Sequence, residues 1–217
     1  MIITIDGPAG AGKSTAARAL ARRLGFRFLD TGAMYRAVAL AALRRGYDWD
    51  APDDLARLAR KLNIESADER ILLDGEDVGE AIRATEVTAV TRYAAGNPQV
   101  RAHLVELQRR AAGKDNIVVE GRDQGTVAFP DAQCKIFLTA DAEERARRRL
   151  QDLHSQGEPV AFEEVLAAQQ RRDREDAARA VGPLRQAPDA VEVRTDGMTF
   201  DQVVDRLEKI VREKIYR

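Results

Sequence analysis

The chain has 217 residues, 44% of them hydrophobic and 33% charged, and its 35 basic and 36 acidic residues leave a formal net charge of -1. This excludes a disordered or collagen-like chain and a polybasic footprint for nucleic acid or anionic membrane, so any positive site must be local. The length suits one core carrying smaller insertions.

Ile2 to Ile5 is a β-branched run that meets Gly7, Pro8 and Gly10 before the alanine-rich Ser14 to Leu24, which predicts strand, glycine loop and helix. The strand begins at once, without a basic leader, and nowhere do eighteen apolar residues follow one another, so the cytoplasm is the expected compartment. Phe26 to Leu29 predicts a second strand ending at Asp30, and Ala33 to Arg45 a helix closed near Gly46. Residues 50 to 85 break this β/α rhythm. A helix from Pro52 to about Leu62 precedes short strands at Asn63 to Ser66, Arg70 to Leu73 and Glu76 to Val78, which reads as an insertion.

After Asn97-Pro98, the residues Val100, Leu104, Leu107 and Ala111 recur at helical spacing up to Gly113. Asn116 to Glu120 and Cys134 to Leu138 are compact apolar runs of the kind that form interior parallel strands. Cys134, the single cysteine, can form neither an internal disulfide nor a cysteine-built zinc site, and is expected to pack in the core. Asp141 to His154 and Phe162 to Arg179 predict two charged helices flanking a flap at Ser155 to Pro159. Ala190 to Arg194 supplies a last strand. Thr199 to Ile215 predicts an amphipathic helix with Phe200, Val203, Val204, Leu207, Ile210 and Val211 inward. His103 and His154 have no partners at metal-ligand spacing.

Gly7-Pro8-Ala9-Gly10-Ala11-Gly12-Lys13-Ser14 matches G-x-x-x-x-G-K-[ST] in the strand-to-helix setting that makes it a phosphate loop. Its amides and the helix start attract phosphate, Lys13 places a charge beside the β and γ phosphates, and Ser14 is expected to hold Mg²⁺. The loop alone does not separate kinases from GTPases, motors or scaffolds. The absence of Asn-Lys-x-Asp, of a transporter signature and of a second motor domain favours small-molecule phosphoryl transfer.

Asp30-Thr31-Gly32-Ala33-Met34-Tyr35-Arg36 resembles the D-[ST]-G-x-x-Y-R segment of bacterial-type cytidylate kinases, and the phosphate loop through Thr15 resembles theirs too. Glu120 to Val127, Phe129-Pro130-Asp131-Ala132, and Arg172-Asp173 followed by Asp176 and Arg179 resemble the later blocks of that family, in the same order. The resemblance implies an α/β, P-loop NMP-kinase-like three-layer sandwich: a five-stranded parallel core sheet, an inserted monophosphate-binding region with a small sheet, and a helical lid. It places the core at 1–36, 97–150 and 184–217, the insertion at 37–96 and the lid at 151–183. It also implies ATP as phosphate donor, CMP or dCMP as acceptor, and residue roles. Arg36, Arg122 and Arg172 would surround the acceptor phosphate, Arg101 and Asp123 address cytosine, and Asp176 and Arg179 touch the ribose or the moving phosphoryl, with Thr31 and Tyr35 beside them. Two positions depart from the pattern. Thr91 and Arg92 stand where relatives place a serine near the base, and Glu120 stands where aspartate is more usual.

Arginine suits this chemistry because its planar fork binds two phosphate oxygens and stays charged, while the acceptor oxygen is already anionic and needs no enzymic nucleophile. Bland alternatives stand beside each role. Arg36 could face solvent, Arg122 and Asp123 could be a surface pair, and Tyr35 could be a core aromatic. Arg145, Arg147, Arg148 and Arg149 could be a solvated face paired with Glu143 and Glu144. Arg172, Asp176 and Arg179, spaced four and three apart, would share one helix face. Competing functions are a kinase for UMP, shikimate or thymidylate, and a non-catalytic nucleotide-dependent regulator. A monomer that binds neither nucleic acid nor membrane is the default expectation.

Overall fold

β1 (Ile2–Asp6) is built from β-branched residues that suit a pleated, buried strand. Then come α1 (Lys13–Leu24), β2 (Arg27–Asp30) and α2 (Thr31–Arg44), whose first turn is capped by the Asp30 carboxylate accepting from the Ala33 amide at 2.9 Å. The chain continues through α3 (Pro52–Lys61), β3 (Ile64–Ala67), β4 (Arg70–Leu73), β5 (Glu76–Asp77), α4 (Thr85–Gly96), α5 (Pro98–Ala112) and β6 (Ile117–Glu120). After it come β7 (Cys134–Thr139), α6 (Ala142–Ser155), α7 (Phe162–Ala177), β8 (Val191–Arg194) and α8 (Phe200–Ile215). This computed structural model describes residues 1–67, 70–155 and 157–215; Gln156, within the expected flap, lies outside them.

Five strands pair in parallel in the order β2-β6-β1-β7-β8, and β3-β4-β5 form a separate antiparallel sheet. Strand alternation sends Ile3, Ile5, Val118, Ile136 and Leu138 to one face, where they meet α1 and α8. Ile117, Val119 and Leu29 point to the other face, against α2 and α5. That is the three-layer arrangement the resemblance implies, and buried Cys134 belongs to the first layer. The small sheet turns at Asp74-Gly75, where both φ angles are positive (51° and 86°), as a tight two-residue hairpin requires.

Two expectations need correction, and one stretch left without an element takes one. Phe200 is 49% exposed, because it sits at the open N-terminal end of α8, just after a reciprocal Thr199–Gln202 cap, and leaves the inward stripe to Val203 onward. α7 stops at Ala177, so Arg179 lies beyond the helix rather than on its face, although it still pairs with Asp176. Residues 85–96, unassigned from sequence, form α4 despite five β-branched residues with modest helix propensity, because packing along α2 overrides that preference. Within α4, the Thr91 hydroxyl donates to the Val87 carbonyl at 2.7 Å.

Candidate active site

The site is assembled at the carboxyl ends of the parallel strands, where open α/β sheets bind ligands. β1 ends in Asp6 and runs into the glycine loop. Gly7 has φ +147°, and a Cβ there would lie inside the carbonyl oxygen of Leu138, so only glycine fits beside β7. Gly10 and Gly12, at φ +78° and +83°, curl the loop into the N-terminus of α1. Pro8 and Ala11 are buried, Ala9 is half-buried, and Ser14 and Thr15 are exposed at the helix start. Lys13 is buried and donates to the Pro8 carbonyl at 2.7 Å. Burial, then repulsion from Arg122 and Arg172, lowers its pKa to about 7.

Register places two carboxylates side by side, since Asp30 at the end of β2 is level with Glu120 at the end of β6. Burial and then the Asp30 charge push the Glu120 carboxyl up to about 7. Glu120 accepts from the Ser14 hydroxyl at 2.8 Å, its backbone carbonyl accepts from the Thr31 hydroxyl at 2.8 Å, and its second carboxylate oxygen is buried without a partner. A serine hydroxyl beside a buried carboxylate with a spare oxygen is a donor set that suits Mg²⁺, which takes a few protein oxygens and completes its shell with phosphate and water.

Arg36 on α2, Arg122 after β6 and Arg172 on α7 converge next to the loop. Burial is the main cause lowering the pKa of Arg172 to about 10, and repulsion by Arg122, Arg36 and Arg179 adds to it. The Arg36 guanidinium is lowered for the same kinds of reason, burial first and then Arg122 and Arg83. Among the described residues neither Arg36 nor Arg172 has a hydrogen bond or ion pair. Arg122 is braced, its Nε donating to Asp176 at 3.2 Å and its Nη1 to the Gly121 carbonyl at 3.1 Å. The Asp176 carboxylate also takes Arg179. Arg36, Arg122, Arg172 and Arg179 repel one another here, and burial limits how far the nearby carboxylates and solvent offset them, a concentration of positive charge that suits a polyanion.

Arg101, projecting from α5, pairs with Asp123, and both are buried. Its Nη1 donates to the Ala95 carbonyl at 3.2 Å and its guanidinium lies 5.4 Å from the centroid of the Tyr35 ring. Tyr35 is therefore both a buried aromatic and a wall of the site, its hydroxyl unpartnered. Burial raises the Asp123 carboxyl despite Arg101. The backbone of Gly182, at φ +64°, lies directly against this pair and leaves no room for a Cβ.

Several contributors carried no legible signal. The turn that follows Asp123, residues Gln124–Ala128, is a single π-helical turn, and the Asp6 carboxylate holds it by accepting from the amides of Gln124 (2.9 Å) and Gly125 (2.8 Å). Asp6 reads in sequence only as a strand end. A cavity of about 430 Å³ beside Arg179 is walled by Tyr47, Trp49, Arg92 and Tyr93, with Trp49 stacked on Tyr93 at 4.9 Å. Arg147 and Arg148 pair with Glu143 and Glu144 as a helix face should. Arg145 does not follow them: it is buried and turned toward the phosphate loop.

The cytidylate kinase family model matches residues 3–213. The chain belongs to the cytidylate kinase family. It is 53% identical to a cytidylate kinase of Rhodopirellula baltica, across 98% of this chain and 93% of that one. It is 50% identical to a cytidylate kinase of Mycobacterium avium, across 99% and 96%. Membership in this family makes the protein a nucleoside monophosphate kinase. Among solved structures, a gluconokinase from Sinorhizobium meliloti superposes with a TM-score of 0.50 at 17% identity, covering 99% of this chain and 94% of that one. An uncharacterized protein from Eubacterium ventriosum gives 0.52 at 12%, covering 98% of each. These likenesses concern the fold alone. No helix among the described residues is long and apolar enough to cross a membrane.

Proposed function

We propose that the protein moves the γ-phosphoryl group of ATP onto CMP or dCMP, giving ADP and CDP or dCDP. The observation that carries this reading is the convergence of Arg36, Arg122 and Arg172 beside the phosphate loop, two of them without a hydrogen bond or ion pair among the described residues. A second anion facing the triphosphate supplies that charge.

The loop amides and Lys13 hold the donor phosphates, and contact with them returns Lys13 to its charged form, exchanging the Pro8 carbonyl for phosphate oxygens. Ser14 and Glu120 would hold Mg²⁺, which when bound neutralises charge between the β and γ phosphoryl groups. Arg36 and Arg172 bind the acceptor phosphate, and Arg122, oriented by Asp176, screens the approaching anions. An acceptor oxygen forms the new bond to the γ-phosphorus as the bond to the β–γ bridging oxygen breaks, and both electrons leave with ADP. Alignment and electrostatics suffice, so no serine or cysteine acts as nucleophile.

Arg101 and Asp123 read the base. Cytosine offers an amino donor to Asp123 and acceptors to Arg101, whereas a uracil edge would leave these buried groups mispaired. Their present mutual pairing under Gly182 means that residues 180–184 must lift to admit the base. Thr31, Tyr35 and Arg179 complete the acceptor site, and Asp176 reaches the ribose.

On this reading 1–36, 97–150 and 184–217 form the core, 37–96 receives the monophosphate, and 151–183 is a lid that closes over the donor. The protein works as a cytoplasmic monomer on small molecules, without nucleic acid or membrane. A coupled assay with ATP, Mg²⁺ and CMP, dCMP, UMP or AMP tests it. Turnover with CMP or dCMP is expected to exceed the others; none with either would reject the assignment, and faster UMP or AMP turnover would reject the base reading alone.

A further inference from the structure

The charge pattern of α6 gives Arg145 no distinction from the arginines that follow it, yet its guanidinium is a buried junction. Nε donates to the Ala140 carbonyl at 2.9 Å. Nη1 donates to the Ala9 carbonyl of the phosphate loop at 2.9 Å and lies 2.7 Å from a carboxylate oxygen of Asp173 on α7. A second thread runs alongside: the buried Gln169 of α7 donates to the Arg145 carbonyl at 3.3 Å, and its amide lies where a Cβ on Gly10 would fall. Phosphate loop, α6 and α7 thus meet around one side chain.

Burying a guanidinium is unfavourable unless good partners offset the lost hydration, and Arg145 has three such partners holding it in one geometry. The loop peptides whose amides face the donor phosphates present their carbonyls to the other side, and Arg145 reads one of them. Lys13 must leave the Pro8 carbonyl to reach phosphate, which changes the loop one residue from Ala9. At the far end, Asp173 sits between Arg172 and Asp176 on the same rigid helix, the two residues proposed to gather and brace for the acceptor.

We infer that Arg145 is a positioning residue that couples the two nucleotide sites: through the Ala9 carbonyl and the Asp173 carboxylate it makes acceptor affinity depend on donor occupancy. This rests on the acceptor reading given above. Linkage requires the converse as well, the acceptor tightening the donor by the same factor.

Calorimetric titration of the whole protein tests this. CMP affinity is measured with and without a saturating non-hydrolysable ATP analogue plus Mg²⁺, and the analogue with and without CMP. The native protein should show reciprocal coupling of about fivefold or more. In Asp173→Asn, which removes the charged link from the Arg145 guanidinium to α7 while leaving the Gln169 contact and Arg145 on the loop, the factor should fall toward one while each nucleotide alone binds within about threefold of native. Asp173→Glu should restore part of it, and Arg145→Lys, a point charge that cannot span both partners, should lose it. Thermal unfolding of each variant separates misfolding from uncoupling; if Arg145→Lys does not fold, the two Asp173 variants decide. Native coupling retained in a folded Asp173→Asn protein overturns the inference, as does a native protein with no coupling. If another monophosphate binds in place of CMP, the cytosine reading fails by itself and the coupling is measured with that nucleotide; if none binds, both fall.

Discussion

Lys13 illustrates how a single burial choice sets a titration. At pH 8 a group with a pKa of about 7 is mostly neutral, and donor phosphates favour its charged form, so binding should take up a proton. Titrating the ATP analogue at pH 8 in buffers of different ionisation enthalpy should reveal that uptake in the native protein and none in Lys13→Ala. The same variant should lose turnover by about a thousandfold or more while CMP affinity stays within a few-fold. Asp123→Asn addresses the base: an amide cannot both accept from cytosine and balance Arg101, so the CMP-over-UMP preference in kcat/KM should drop by at least about tenfold.

At the scale of elements, what matters is how short connections aim side chains that the strands cannot. The π-helical turn after Asp123 exists because the Asp6 carboxylate captures two of its amides, tying the end of β1 to the loop that carries Arg122 and Asp123. On the proposed base reading the chain from 180 to 184 has the opposite task, since Gly182 lies against the Arg101–Asp123 pair and would have to move to admit the base. Gly182 is adapted to this by its positive φ and by the lack of space above the pair. Gly182→Ala should therefore raise the KM for CMP about tenfold or more through strain and displaced base readers, with the KM for ATP little changed. Steady-state kinetics with each substrate varied checks this.

For the molecule as a whole, the site opposes stability. Glu120 has an ordinary pKa of 4.5 and is pushed up to about 7 in the fold, so between those values the folded protein holds more protons than the unfolded chain. The stabilising contribution of its protonated form is complete below about 4.5 and is lost as pH rises through 7. Asp6, raised to about 6 by burial, acts the same way over a lower window. Glu120→Gln, which keeps an acceptor for Ser14, should raise the Tm at pH 8, at about 2–4 °C per kcal/mol, and flatten the decline between pH 5 and 8, while Mg²⁺-dependent turnover falls. Thermal scans across pH with matched assays would show the trade; an unchanged Tm profile would refute it. The proposed closure of 151–183 as a lid would slow amide exchange in α7 and the end of α6 when both nucleotides are present, and unchanged protection there would argue against it.

Local chemistry was enough to place the phosphate loop, the parallel strands and most helices, because a β-branched run, a glycine turn and a 3.6-residue period each act over a few residues. The family resemblance, carried by short ordered blocks, likewise marked Arg36, Arg122, Arg172 and the Arg101–Asp123 pair. Tertiary structure alone decided what those groups touch. Register set Asp30 beside Glu120, packing along α2 made a helix of residues 85–96, the open end of α8 released Phe200, and a buried junction drew Arg145 away from its charged neighbours. Each of these joins residues far apart in the chain, and a linear pattern holds no record of which distant backbone will arrive beside a given side chain.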